Sequence, residues 1–164
     1  MTSPYRVVVV CTGNICRSPI AEAVLERAFT NAGITVEVSS AGTGSWHIGD
    51  DADPRALRVL TQHGYDLQHE ARQFDPAWFV DVDARADLVL ALDSSHLRDL
   101  RALAAKHGAD ADHVVLLRSF DPDALDFDVP DPYYGADSGF YDVLVMIEAA
   151  APGVVAYVRG QVVS

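Results

Sequence analysis

Four consecutive valines, Val7 to Val10, run straight into Cys11, and the character of the chain then changes within a few residues. A run this short cannot cross a bilayer, and β-branching at every position favours a strand buried on both faces, the habit of parallel sheets. Thr12, Gly13 and Asn14 follow, residue types that tolerate tight or left-handed backbone. Ser18-Pro19 then reads as a helix start, a hydroxyl cap followed by proline at the first helical position. Cys11 therefore ends a strand and Ser18 opens a helix. The loop between them can turn successive backbone N–H groups inward as an anion nest, backed by the positive end of the helix dipole. The ligand that suits such a loop is a dianion of phosphate size.

Arg17 adds a rigid fork of N–H donors that can grip two oxygens of that anion, where a lysine would offer only a point charge. The same surroundings favour the thiolate of Cys11, and a thiolate facing phosphorus is a nucleophile.

At 164 residues and 49% hydrophobic, the chain can bury a core of its own, and one domain over 1–164 is the expected organisation. With 24 acidic against 12 basic residues, the formal net charge is −12. That charge repels nucleic acid and offers no basic surface to a membrane. The Arg17 loop is an electropositive exception on this acidic body, so a phosphate is captured locally and not steered from afar. The opening residues MTSPYR lead into no signal-peptide pattern and no transmembrane segment is expected, which makes the cytoplasm the expected compartment. Two closely spaced cysteines make no disulfide framework and the scattered histidines show no zinc spacing, so neither a metal nor a cofactor is implied.

Downstream, Pro19 to Ala32 carries a helical apolar face (Ile20, Ala23, Val24, Ala28), with Gly33 to end it. Ile34, Val36 and Val38 alternate with polar residues as a half-exposed edge strand. Asp53-Pro54 caps a helix to His63 with Gly64 beyond, and Asp75-Pro76 opens a short helical turn with Trp78 and Phe79. Asp87 to Leu92 is a third strand, Ser94 or Ser95 caps a helix ending near His107-Gly108, and Val114 to Leu117 is a fourth strand. From Ser138 the chain reads as helix, with Pro152-Gly153 the place for an interruption. Strands alternating with helices predict an α/β fold, an open parallel sheet with helices on both faces. Ligands of such sheets sit beyond the strand C-termini near a switch in strand order, and Cys11 stands at one such end.

Displacing an alkoxide or phenoxide from phosphorus needs a proton donor, and acid-proline steps stand at Asp53, Asp75, Asp121 and Asp131. Asp53 and Asp75 lie at helix starts, where an N-cap is the simpler use. Asp131 lies in a loop rich in Pro and Asp after the last strand, at the same end of the sheet as Cys11, where a solvated turn carboxylate is an equal reading. Ser18 is either a plain cap or a donor to the Cys11 sulfur, and His69 alone reads as a surface histidine beside Glu70.

The segment Cys11-Thr12-Gly13-Asn14-Ile15-Cys16-Arg17-Ser18-Pro19 resembles the signature loop of the low-molecular-weight protein tyrosine phosphatases, bacterial type. Ser39-Ser40-Ala41-Gly42-Thr43 with Trp46, Asp53-Pro54-Arg55-Ala56, His69-Glu70-Ala71-Arg72-Gln73 and Asp131-Pro132-Tyr133-Tyr134-Gly135 resemble further family segments, in the family's order. The resemblance implies a flavodoxin-like or Rossmann-like sheet of four strands ordered 2-1-3-4. It also implies hydrolysis of phosphotyrosine in proteins, and of aryl phosphates, through a phosphocysteine on Cys11. Arg17 and the loop residues Thr12, Gly13, Asn14, Ile15, Cys16 and Ser18 would bind the phosphate, and Asp131 would act as general acid and then general base. Ser40 and His69 would support a left-handed Asn14, and Trp46, Tyr133 and Tyr134 would wall a cleft deep enough for a phenyl phosphate. Cys16 is either a packed, inert thiol or the redox partner that pairs with an oxidised Cys11, as in relatives. The implied partners are tyrosine-phosphorylated signalling proteins; a tyrosine kinase acting on Tyr133 or Tyr134 and a monomeric state are further expectations.

Other classes are possible for such a loop. Arsenate reductases relay oxidation through downstream cysteines, and this chain has none after Cys16. Protein arginine phosphatases of the same fold carry a threonine where Ile15 stands and a shorter aromatic segment after the acid. A module that binds phosphotyrosine without hydrolysis, or a cysteine phosphocarrier, would not need nucleophile, Arg and acid together.

Overall fold

The valine run forms the middle of a sheet. A computed structural model describes residues 4–162; residues 1–3, part of the stretch read above for a leader, lie outside it. Strand β1 (Tyr5–Cys11) leads through the loop into helix α1 (Arg17–Ala32), and β2 (Val36–Gly42) follows. Helices α2 (Pro54–Gln62) and α3 (Ala77–Val80) come before β3 (Leu88–Ala91), α4 (Ser94–Lys106) and β4 (Val114–Leu116). A 3₁₀ turn (Leu117–Phe120) and the long α5 (Ser138–Val162) complete the order. The strand order is β2-β1-β3-β4 with every pairing parallel, as the family resemblance implies. The chain leaves β1 toward β2 on one side and later returns to β3 on the other, so the crevice at the C-terminal end of β1 is the switch point of the sheet.

Alternation along β1 divides the core. Val7, Val9 and Cys11 face one layer with Ile20, Leu25 and the buried face of α5, while Val8 and Val10 face a second with Phe74, Phe79 and Leu100. All four valines are almost wholly buried, each contributing about 1.5–3 kcal/mol over an exposed side chain. By length and composition α5 could cross a membrane, with a mean hydropathy of 1.5. Its residues Phe140, Val143, Leu144, Ile147, Ala151, Val154 and Val158 are instead buried against the sheet and α1 at the three-to-four spacing of a core helix.

Several local expectations need correction. The second strand begins only at Val36 and runs on to Gly42, and the third is Leu88–Ala91, without Asp87 and Leu92. Ser18 does not cap α1: the helix begins at Arg17 behind Cys16, which makes no side-chain cap, and the Ser18 hydroxyl turns to Cys11 Sγ. Neither Ser94 nor Ser95 caps α4, because the carboxylate of Asp93 takes that place and accepts from the N–H groups of Ser95 and His96. An anion is the better acceptor at the positive end of a helix. Strand β4 stops at Leu116, where the 3₁₀ turn begins. Helix α5 runs unbroken through Pro152. What the Pro-Gly pair marks is a close crossing, since a Cβ on Gly153 would lie 2.1 Å from the Phe120 carbonyl oxygen.

Candidate active site

The loop after β1 is held in shape by groups from three other stretches of chain: α1, β2 and the segment around His69 and Arg72. Asn14 has φ 57°, a left-handed conformation that is rare outside glycine and costs of order 1–3 kcal/mol unless its surroundings over-determine it. They do. Its amide nitrogen donates to Ser18 Oγ (2.8 Å) and Ser40 Oγ (3.0 Å), its side-chain oxygen accepts from the Arg72 N–H (3.0 Å), and its carbonyl accepts from His69 Nε2 (2.6 Å). The Ser40 hydroxyl in turn donates to the Glu22 carboxylate at 2.7 Å, and burial raises the pKa of that carboxyl. Gly42, at the end of β2, has no room for a side chain, because a Cβ there would sit 2.5 Å from the Thr12 carbonyl oxygen.

Since Ser18 Oγ accepts from Asn14, its hydrogen has two acceptors in reach, Cys11 Sγ at 2.9 Å and the Ala41 carbonyl at 3.4 Å, of which the sulfur is the nearer. Serine can thus donate to the sulfur when the sulfur carries charge.

Arg17 is buried and paired. Its Nη1 donates to Asp93 Oδ2 (2.7 Å) and to the Val129 carbonyl (2.9 Å), while Nη2 lies 3.4 Å from Thr12 Oγ1 and 3.8 Å from Asp131 Oδ2. No described residue accepts from Nε, which leaves one edge of the guanidinium for a ligand. Burial pushes the Asp93 carboxyl up, but hydrogen bonds from Ser95 and Arg17 outweigh it and bring it down to about 2. Asp93 is therefore an anion throughout the neutral range and a permanent counter-charge for Arg17.

Cys11, Arg17 and Asp131 line one cleft of about 490 Å³, together with Thr12, Gly13, Ile15 and Cys16. Trp46, Tyr133 and Tyr134 form its rim; Trp46 is 76% exposed and Tyr134 90%. The two tyrosine rings meet edge to face at 4.9 Å. Asp131 Oδ1 accepts from the Tyr133 N–H (3.0 Å), and Oδ2 is the oxygen turned toward Arg17. The rival acids are occupied elsewhere. Asp53 and Asp75 accept from the N–H groups of Arg55 and Ala77 at their helix starts, Asp121 from Asp123, and Asp128 from the N–H and hydroxyl of Ser94. None of them lines the cleft. Cys16 is buried beside Cys11, and its thiol is pushed up to about 12 by burial first and then by Asp53 and Cys11. Among the described residues no group of three or more His, Cys, Asp or Glu could hold a metal ion.

Several residues of the site escaped the sequence reading: Asp93 and the Val129 carbonyl on Arg17, Glu22 and Arg72 behind Asn14, His47 against Gly13, and His96 under Thr12. For Asp93 and His96 a signal exists, since Asp93-Ser94-Ser95-His96 has the spacing of a capping box with histidine in the place usual for Glu or Gln.

With this geometry in view, the family model for low molecular weight phosphotyrosine protein phosphatase matches residues 6–164. The chain belongs to this family. Within it, a low molecular weight protein-tyrosine-phosphatase of Streptomyces coelicolor is 56% identical over 162 residues, covering 96% of each sequence. A solved protein tyrosine phosphatase from Entamoeba histolytica is similar at a TM-score of 0.87 and 30% identity, covering 96% of this chain and 98% of that one. A Drosophila arginine phosphatase follows at 0.84 and 28%, covering 93% and 97%. The family fold thus serves enzymes named for two different substrates, and backbone likeness alone does not separate them.

Proposed function

We propose that this chain is a cysteine-dependent phosphatase that hydrolyses phosphotyrosine in proteins. The observation that carries the reading is the convergence of Cys11, Arg17 and Asp131 in one cleft rimmed by Trp46, Tyr133 and Tyr134. In the first step the Cys11 thiolate attacks phosphorus in line, the bond to the tyrosine oxygen breaks, and the Asp131 carboxyl protonates that oxygen as it leaves. In the second, the Asp131 carboxylate takes a proton from water, the water oxygen bonds to phosphorus, and the P–S bond breaks to return the thiolate. The Ser18 hydroxyl stabilises the sulfur as it departs. Arg17 and the loop amides hold the three peripheral oxygens, over which charge spreads in the transition state.

The aromatic rim supports an aryl phosphate, whose ring can stack where a phosphoserine side chain would not reach. Ile15 at the cleft wall and the Tyr133-Tyr134 pair favour that ring over phosphoarginine. We place the protein in the cytoplasm as a monomeric domain acting on tyrosine-phosphorylated partners, and the exposed Tyr134 and its neighbour Tyr133 are accessible to a tyrosine kinase. The direct test is turnover of para-nitrophenyl phosphate and of matched phosphotyrosine, phosphoarginine and phosphoserine peptides. Phosphotyrosine is expected to lead, and a preference for phosphoarginine would overturn the reading.

Asp131→Asn tests the proton donor through the leaving group, because an acid matters most when the departing oxygen is a strong base. It is expected to slow phosphotyrosine hydrolysis more than para-nitrophenyl phosphate hydrolysis, while Asp121→Asn changes neither. Uniform loss across leaving groups would reduce Asp131 to a loop-shaping residue.

For Cys16 the redox role is testable as well. Peroxide converts the Cys11 thiolate to a sulfenic acid, and the Cys16 thiolate can displace water from that sulfur to close a disulfide. A thiol held near 12 by burial supplies little thiolate at neutral pH, so closure is expected to be slow at pH 7 and to quicken as pH rises. Mild peroxide followed by excess thiol is expected to restore the wild type but not Cys16→Ser. Equal recovery in both would leave Cys16 as packing.

A further inference from the structure

The first turn of α4 dictates which nitrogen of His96 carries the proton. Among the described residues the backbone N–H of Asp93 has a single partner, His96 Nδ1 at 3.2 Å. A backbone N–H can only donate, so Nδ1 presents a lone pair and the proton of the neutral ring is on Nε2. The opposite tautomer would point Nδ1–H at Asp93 Oδ1, which already accepts from the Ser95 N–H, the Ser95 hydroxyl and the His96 N–H. It would also leave the Asp93 N–H without an acceptor. His96 is 1% exposed, and Arg17 Nη2, another obligate donor, stands 3.5 Å from its Nε2; the Asp93 N–H at 3.2 Å from Nδ1 is the closer of the two and sets the tautomer, and the guanidinium disfavours a second proton on the ring.

With its proton on Nε2, His96 donates to Thr12 Oγ1 at 2.8 Å, a contact that spans 84 positions of the chain. Arg17 Nη2 approaches the same oxygen at 3.4 Å and can also only donate. Both lone pairs of the Thr12 hydroxyl are then engaged, and its hydrogen must point away from them. No described residue accepts that hydrogen, and Thr12 lines the cleft next to Cys11.

From this accounting we infer that His96 is a positioning residue of the phosphate site: it locks Thr12 so that the Thr12 hydroxyl becomes a side-chain donor to an oxygen of the bound phosphoryl group. The inference rests on the phosphatase reading above for its substrate, but not for its anion. The pair adds one aimed donor to the loop amides and Arg17, set before substrate arrives. His96 never touches the phosphate; it acts through Thr12.

The test compares Thr12→Val, Thr12→Ser, His96→Ala, His96→Gln and the Thr12→Val/His96→Ala double variant. Two quantities are measured: kcat and KM for para-nitrophenyl phosphate, and the affinity for inorganic phosphate by calorimetry in the Cys11→Ser background. A hydrogen bond to a charged group implies that Thr12→Val and His96→Ala each lower kcat/KM by about tenfold to a hundredfold and weaken phosphate binding. The double variant is expected to be no worse than the poorer single one, because the two residues supply one interaction. Thr12→Ser keeps the hydroxyl, and His96→Gln keeps an acceptor for Asp93 and a donor for Thr12, so both are expected within about threefold of wild type. Wild-type activity and phosphate affinity in Thr12→Val would overturn the inference, as would single losses that multiply in the double variant or a failure of His96→Gln to rescue. Thr12→Val and Thr12→Ser leave α4 untouched, so a folding defect in His96→Ala cannot mask the result. A wild type inert toward para-nitrophenyl phosphate would sink the phosphatase reading, while the phosphate affinities would still decide the pairing.

Discussion

Cys11→Ser is expected to bind inorganic phosphate and to lose turnover by about ten-thousandfold or more. The substitution changes one atom in a site whose anion grip lies elsewhere. Arg17 keeps Asp93 and the Val129 carbonyl, and Asn14 keeps the bonds that shape the loop. On the proposed mechanism what disappears is the nucleophile, since a serine hydroxyl at this position lacks the easily formed anion of a thiol and among the described residues no base stands behind it: the group 2.9 Å from Cys11 Sγ is the Ser18 hydroxyl, a poor proton acceptor. Calorimetry with phosphate and steady-state turnover of para-nitrophenyl phosphate measure the two halves separately. Substantial residual turnover would rule out a phosphocysteine.

Arg17→Lys is the second large effect, with an expected loss of about a thousandfold in kcat/KM. On the proposed mechanism the guanidinium does two jobs at once: Nη1 ties it to Asp93 and Val129, and the edge carrying Nε, without an acceptor among the described residues, is left to grip phosphate. A lysine ammonium is one centre on a flexible stem, and if it satisfies Asp93 it cannot also present a planar pair of donors to phosphate. The Asp93 carboxylate, charged throughout the neutral range, holds the ammonium back from the cleft. Retention of activity within about tenfold would show that Arg17 is not the transition-state clamp.

Local rules carried the fold a long way. The β1 valines, the acid-proline starts of α2 and α3 and the glycines past the helix ends obey rules that need only neighbours in sequence, and strand order followed from family likeness. Those rules failed where a distant group competed for the same atoms. Ser18 looks like a cap because a hydroxyl precedes proline, yet Cys11 Sγ and the Asn14 amide claim that hydroxyl. Pro152 looks like a break because its own helix loses a hydrogen bond there, yet the Phe120 backbone presses on Gly153 and the helix continues. Four acid-proline steps share one local pattern, so Asp131 could be singled out only by family likeness. In three dimensions the other acids are seen to be engaged by backbone N–H groups away from the cleft. His96 and Thr12 carry no mutual signal in sequence at all.

The left-handed Asn14 reaches beyond catalysis. Its partners come from α1, β2 and the segment around His69 and Arg72, so no stretch of the chain that stops short of Arg72 supplies them all. A nascent or partly refolded chain can own its central strand and first helix and still lack a phosphate nest, because the bonds that twist the loop do not exist until β2 has paired and the 69–72 segment has closed over it. On the proposed mechanism the nucleophile is therefore armed late, and a half-made chain is expected to be a silent one.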